Sequence, residues 1–480
     1  MPMRTNTIPP TARLATAALR GTFALFALSL AGLAGLAGLS GCASLDPKPD
    51  IERAAATVAE RSGIAPVWSE PWQASLTAWD GQAPLSVEQA LALALRNNRE
   101  IRAQVESIAA SRADLVQAGL LPNPVVALTL QFPFDPVSGG TFVGASLVQS
   151  FTALWLRGGK IDAADARLNQ SVLDVSDRAL RLVAEVKATH TRIDFGQRTI
   201  ALSDDNLATI QRSIDSLESR IRAGEGTTLD SNRARQQHAK AQAERTITLR
   251  DLAKERRRML ELIGFAAENA EWTVDAGVIN TVNSASNDSN APDETAVMAL
   301  ADAQRLDVAA ARLIVKAQQA DLSTEERSRL KDFGLGADFE READGKKSIG
   351  PVIELGIPIF DSNQAQIAKA GSLARAALAN YQALAQRATR EVRVAWIDAT
   401  AAASLLGQYR ETVLPISERN LTLAQSSLTA GQADVTVLLE AQRDLIDARR
   451  TLIDLQRDAA LAQIALEHAA GGTLGLPKGQ

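Results

Sequence analysis

The sequence predicts a mainly α-helical fold with a small β part, built as two copies of one repeat. Three observations carry this. Apolar residues recur in a 3-4-3-4 rhythm over a very long segment, distant landmarks share one offset, and each half holds two short segments of period two. Aromatic residues make up 4% of the 480 and the formal net charge is −5. That balance favours long helices over aromatic-rich cores and offers no basic surface for nucleic acid.

Residues 1–41 read as an export signal. Arg4, Arg13 and Arg20 give a positive start, no charge occurs from Gly21 to Leu45, and the apolar run ends in small residues at Ser40 and Gly41. A membrane-spanning helix needs ~20 apolar residues. This run is nearly that long, but a spanning helix gives no reason for a cysteine at its exit. Cys42 is the only cysteine, so no disulfide forms within the chain. Leu39-Ser40-Gly41-Cys42 resembles the bacterial lipobox, which implies cleavage before Cys42 and a lipid (diacylglycerol and palmitate) on its thiol. Each buried CH₂ adds ~0.8 kcal/mol, so several acyl chains anchor a protein firmly. Ala43 after the cysteine favours the outer over the inner membrane. Residues 42–83 are the lipidated N-terminal extension.

The first repeat covers 84–282. From Leu168 through Val172, Val175, Ala179, Leu182 and Val186 to Ile193, Ile210, Ile214, Leu217 and Ile221, the seam positions are apolar or Gly except Thr189 and Ser203. Sustained heptads mark helices packed as coiled coils. At 1.5 Å per residue the stretch from Gly159 to Arg222 spans roughly 95 Å, far beyond a helix of a compact domain. The seam stops at "RAGEGTTLD", where Gly224 suits a helix end and Thr227, Thr228 or Asp230 can cap a second helix running to about Ile263. "LTAGQADVTVLLEAQ" around Gly431 repeats the pattern 207 residues later, and the same offset relates "SRADL" (111–115) to "QQADL" (318–322). The chain is an internal duplication. A polar linker at 283–294 joins the first repeat to a second at 295–470, followed by a tail at 471–480.

Each repeat inserts two strands, at about 124–134 and 142–152 in the first and about 333–341 and 349–360 in the second. Val126, Leu128, Leu130 and Phe132 share one face, and Ala127, Thr129 and Gln131 the other. Phe333, Leu335, Ala337 and Phe339 oppose Gly334, Gly336, Asp338 and Glu340, while Ile353, Leu355, Ile357 and Ile359 oppose Val352, Glu354, Gly356 and Pro358. Such segments suit a membrane β-barrel wall, although a half-buried soluble strand has the same period. Four strands leave two open edges, which lipid does not tolerate, and barrels begin at about eight strands. The missing strands are expected from other copies, and a trimer supplies twelve.

Together "PLSVEQALALALRNNREIRA" (84–103), "QAGLLPNP" (117–124), "AGEGTTLD" (223–230), "LGIPIFD" (355–361) and "AGQADVTVLLEAQRDLIDAR" (430–449) resemble the TolC-like outer-membrane efflux proteins over nearly the whole mature chain. The resemblance implies a homotrimer, with a shared 12-stranded transmembrane β-barrel and an α-barrel of long coiled-coil helices in the periplasm. It implies the outer membrane of a Gram-negative bacterium, a periplasmic adaptor docking at helix-turn-helix tips centred on Gly224 and Gly431, and an inner-membrane pump. Family members close the tunnel with carboxylates six and nine residues after the second tip glycine. Here those positions are Val437 and Glu440, so one carboxylate is missing, and a basic residue that can lock the region is Ala433. The six-residue step in the first repeat lands on Asp230. Gate candidates are therefore Glu440 and Asp230.

No enzyme is expected. His190, His238 and His468 stand apart from any ligand-spaced Cys or carboxylate, and "RGGK" (157–160) lacks the first glycine and the final Ser or Thr of a phosphate loop. No metal or cofactor is expected beyond the lipid on Cys42. The competing reading is a non-porous coiled-coil lipoprotein tether, which gives the four alternating segments no role. Cargo stays open among drugs, metal ions and proteins.

Overall fold

The computed structural model describes residues 44–68, 79, 81, 83–132, 140–224, 227–265, 272–275, 293–329 and 333–473. The export signal with Cys42, linker residues 283–292 and most of the tail lie outside these. The chain forms two compact units. One gathers Ala113–Arg157 and Asp332–Gly356 and contains the sheet; the other gathers Asp46–Arg112, Gly158–Lys331 and Ile357–Gln480 and is helical.

The helices are α1 (Lys48–Ser62), α2 (Val87–Asn97), α3 (Arg99–Gly119), α4 (Thr152–Arg222), α5 (Thr228–Leu262), α6 (Glu294–Gln304), α7 (Leu306–Arg327), α8 (Gln364–Gln408), α9 (Leu414–Thr429) and α10 (Val435–Ala469). Local chemistry sets several starts. Ser86 and Gln89 form a reciprocal capping box before α2, and Thr227 and Asp434 cap α5 and α10 with their side chains. The heptad seam lies along one face of α4. Leu168, Val172, Val175, Ala179, Leu182, Val186, Thr189 and Ile193 are buried, as are Ile210, Ile214 and Leu217, and the positions between are half-buried. The helix begins at Thr152, seven residues before Gly159, and is 71 residues long.

The duplication is visible in the hydrogen bonds as well as the helices. The 207-residue offset maps both ends of α2 onto α6 and both ends of α5 onto α10. Where α2 meets α3, Asn98 Nδ2 donates to Leu262 O at 3.0 Å; where α6 meets α7, Arg305 Nη1 donates to Ala469 O at 3.5 Å. These four residues are equivalent pairs. After α5 and α10 the chain reverses on Gly264 (φ 78) and Gly471 (φ 89). In both, the glycine and the next residue donate backwards in a paired helix-end motif: Gly264 to Glu261 and Phe265 to Leu260, Gly471 to His468 and Gly472 to Glu467.

The repeats diverge along their longest helices. The counterpart of α4 is broken into α8, a π-turn at Tyr409–Val413, and α9. Leu414 N–H bonds five residues back to Tyr409 O. Pro415 explains the break, since its ring crowds the carbonyl four residues earlier and supplies no N–H; the wider turn makes room.

Residues 44–68 of the N-terminal extension carry a packed helix. Helix α1 buries Ile51, Ala54 and Val58. Asp50, 2% exposed, accepts from Arg112 Nε at 2.7 Å and Nη2 at 2.5 Å, and from Arg53 at 2.6 Å. Arg61 donates to Gln304 O and, at 3.2 Å, to Gly471 O, while Trp68 Nε1 donates to Leu95 O at 2.8 Å. The extension thereby ties the first repeat to the second.

Candidate channel wall and helical tips

The sheet comprises β1 (Val125–Gln131), β2 (Phe142–Ser150), β3 (Phe333–Arg341) and β4 (Lys347–Leu355), antiparallel in the order β1-β2-β3-β4. The central pairing of β2 with β3 joins strands of the two repeats. β4 differs from the expected 349–360. It starts at Lys347, because a tight turn through Gly345 (φ 90) brings Glu342 N–H to Lys346 O at 2.9 Å. It ends at Leu355, because Pro358 lacks a donor and Ile359 N–H turns back to Ile357 O. Ile357 and Ile359 therefore lie beyond the strand. β1 and β2 fall within their expected spans, with Thr152 opening α4 instead of ending β2.

Register assigns each side chain to a face. One row runs Leu128, Ala145, Phe339, Ile349, and another Leu147, Ala337, Pro351 with Val126 at its start. Apart from Gln149 and the end pair Arg341 and Lys347, this face is apolar, yet it is uncovered: Leu128 is 74% exposed, Ile349 79% and Ile353 68%. An apolar sheet face of this extent does not stay in water. The opposite face carries Thr129, Gln131, Ser146, Asp338, Glu340 and Glu354 and no Lys or Arg. β1 and β4 each keep one unpaired edge. The sheet thus has one oily face, one acidic polar face, and two edges ready to pair. The acidic face was present in the strand alternation, but its three carboxylates become one surface only once register is known.

In the helical unit, two hairpins end at the predicted tips. Gly224 has φ 81 and Gly431 φ 69, and a Cβ at either would meet nothing within 4 Å. The left-handed backbone explains the glycines, and the open space leaves both tips accessible. At the second tip Gln432 N–H donates to Ser427 O at 2.8 Å and Gly431 N–H to Leu428 O at 3.1 Å. Ile210, Ile214, Leu217 and Ala234 form a buried cluster against which Val435 of the other hairpin packs, and Arg450 pairs with Glu244 at 2.6 Å. The hairpins are neighbours.

The two gate candidates differ in their surroundings. Asp230 accepts from the Thr227 hydroxyl at 2.5 Å while its own N–H donates to Thr227 Oγ1 at 3.3 Å, so its carboxylate is engaged in the cap of α5. Glu440 is exposed and has no hydrogen-bond or ion-pair partner among the described residues. Leu438 and Leu439 beside it are half-buried, and Val437 is 46% exposed. Of the two, Glu440 has the free charge. Among the described residues no three His, Cys, Asp or Glu side chains gather as a metal site.

A model of the outer membrane efflux protein family matches residues 90–264 and again 297–472. The cobalt-zinc-cadmium resistance protein CzcC of Cupriavidus metallidurans is 22% identical over 346 residues, 72% of this chain and 80% of that one. A membrane protein from Pseudomonas aeruginosa superposes with a TM-score of 0.67 at 21% identity, over 85% of this chain and 97% of that one. CusC, whose structures describe transmembrane channel formation, gives 0.68 at 17% identity over 86% and 97%. At these identities the structural likenesses speak to the fold.

Proposed function

The chain belongs to the outer membrane efflux protein family, and from that premise we propose that three copies close their sheets, β4 of one against β1 of the next, into a twelve-stranded barrel. The long helices form the periplasmic part of the conduit, fed by an adaptor and an inner-membrane pump. The observation that carries this is the sheet itself, whose apolar face and two open edges are satisfied together only by closure in lipid. The test is a heat-resistant trimer in detergent with single-channel conductance in planar bilayers. A protein that stays monomeric and conducts nothing is the coiled-coil tether.

Cations are the cargo best suited to the polar face, which becomes the barrel lining and carries Asp338, Glu340 and Glu354 without a compensating base. The metal-resistance relative points the same way. Glu440 adds an acidic ring at a constriction near the second tip. In the same bilayer measurement Glu440→Gln should weaken cation selectivity and blunt block by divalent ions. Unchanged selectivity returns Glu440 to a solvated helix face.

Docking of the adaptor is assigned to the tips at Gly224 and Gly431. Because a Cβ at Gly431 would meet nothing within 4 Å, Gly431→Trp should leave trimer yield unchanged and abolish export by cells. Normal export, or loss of the trimer itself, rejects the docking role. Lipidation of Cys42 anchors the mature chain: radiolabelled palmitate should enter wild type but not Cys42→Ser, and label in the variant refutes it.

A further inference from the structure

One cross-strand pair conflicts with an isolated sheet. Arg341 and Lys347, the last residue of β3 and the first of β4, stand directly opposite each other. Both are exposed, and strand alternation puts them on the apolar face with Phe339 and Ile349. Like charges in that relation destabilise a sheet. Neither has an ion-pair or hydrogen-bond partner among the described residues. In the adjoining turn, Asp344 is occupied by Lys346 at 2.8 Å, whose hydrogen bonds hold its carboxyl below the ordinary carboxylate range. Glu340 and Glu342 alternate onto the other face, and β2 contributes only Val143 beside Arg341.

Position says what could relieve the pair. It lies at the end of the sheet that bears the turns, two residues beyond the apolar row of Leu128, Ala145, Phe339 and Ile349, or about 6–7 Å along the strands. If that row meets hydrocarbon, the two cations sit at head-group depth, where the anions are lipid phosphates. We propose that Arg341 and Lys347 bind the phosphate of an anionic lipid in the outer leaflet, one site per chain. Arginine supplies a planar fork that grips two phosphate oxygens and lysine a point charge. The adjoining uncovered apolar rows favour a lipid over free phosphate. This rests on the barrel reading above.

The experiment measures dissociation temperature of the purified full-length trimer in mild detergent. Probes are diphosphorylated lipid A, the same lipid with its phosphates removed, and inorganic phosphate. Diphosphorylated lipid A should raise the temperature for wild type, Lys346→Gln and Arg341→Lys, and the rise should vanish in the Arg341→Gln/Lys347→Gln double variant. Conductance of each variant checks that the barrel is intact, and Lys347→Gln alone should lose part of the shift. An equal rise in the double variant overturns the site. So does an equal effect of the phosphate-free lipid, which reports acyl contact only, or of inorganic phosphate, which reports a site with no need of lipid. Absence of any trimer or conductance in wild type removes the barrel reading and this site with it, whereas a conducting trimer indifferent to lipid A removes the site alone.

Discussion

Gly471→Ala, and equally Gly264→Ala, should strip the protein of most of its helical stability. Each residue is held at positive φ against a backbone that cannot give way. A Cβ on Gly471 would come within 2.9 Å of Gln304 C and 3.0 Å of its O, and one on Gly264 within 2.7 Å of Asn97 O. Left-handed strain alone costs a non-glycine residue about 1–3 kcal/mol. Here the adjoining helix junction must also open, disturbing the bonds from Asn98 and Arg305 that close it. Gly63 supplies the control, since it has φ 75 but nothing within 4 Å of its Cβ position. Gly63→Ala should therefore show the strain term alone. The measurement is the melting of helical circular dichroism of purified protein in detergent. Equal melting for Gly63→Ala and Gly471→Ala would mean that close approach adds nothing.

The next largest loss is expected from Asp50→Ala. Removing this carboxylate leaves Arg112, 23% exposed, with its fork emptied beside α1. Deleting one partner of a buried pair costs about 3–5 kcal/mol, and the partial exposure of Arg112 places this case at the lower end. Asp50→Asn retains the shape and one acceptor and should lose less. Protection of α1 amides from hydrogen exchange reads the effect directly. Protection unchanged in Asp50→Ala would show that apolar burial of Ile51, Ala54 and Val58 is enough to hold the helix.

What could be read in advance was whatever repeats. The seam of α4, the tip glycines and the end of α5 near Ile263 follow from periodicity and the 207-residue offset, because each depends on residues near one another in sequence. The strands were legible as alternation, with the end of β4 misplaced because apolar alternation runs on through Ile357 and Ile359 where hydrogen bonding does not. Among the described residues helix α1 has no counterpart in the second repeat, so the duplication could not flag it, and its pairing of Asp50 with Arg112 spans a distance that local pattern does not encode. The π-turn escaped for a related reason. Pro415 was visible, but an apolar rhythm does not report whether a helix absorbs a proline by breaking, bending or widening. The separate fates of Asp230 and Glu440 likewise depend on which carboxylate a neighbouring threonine claims.

The two free edges of the sheet have a consequence for biogenesis. On the proposed barrel, β4 of one copy pairs with β1 of the next, which makes the association head-to-tail. Such an interface ends either in a ring or in an open filament. The choice rests on the rotation between successive copies, which strand twist sets. On that proposal, until a third chain arrives a monomer or dimer still offers two open strand edges beside an uncovered apolar face. Each is then a seed for further addition until the ring closes. Productive assembly is therefore a race between closure and polymerisation. Slow delivery to lipid, or excess synthesis, should shift the product from trimers to insoluble β-rich polymer even in a chain with no defect in its own fold.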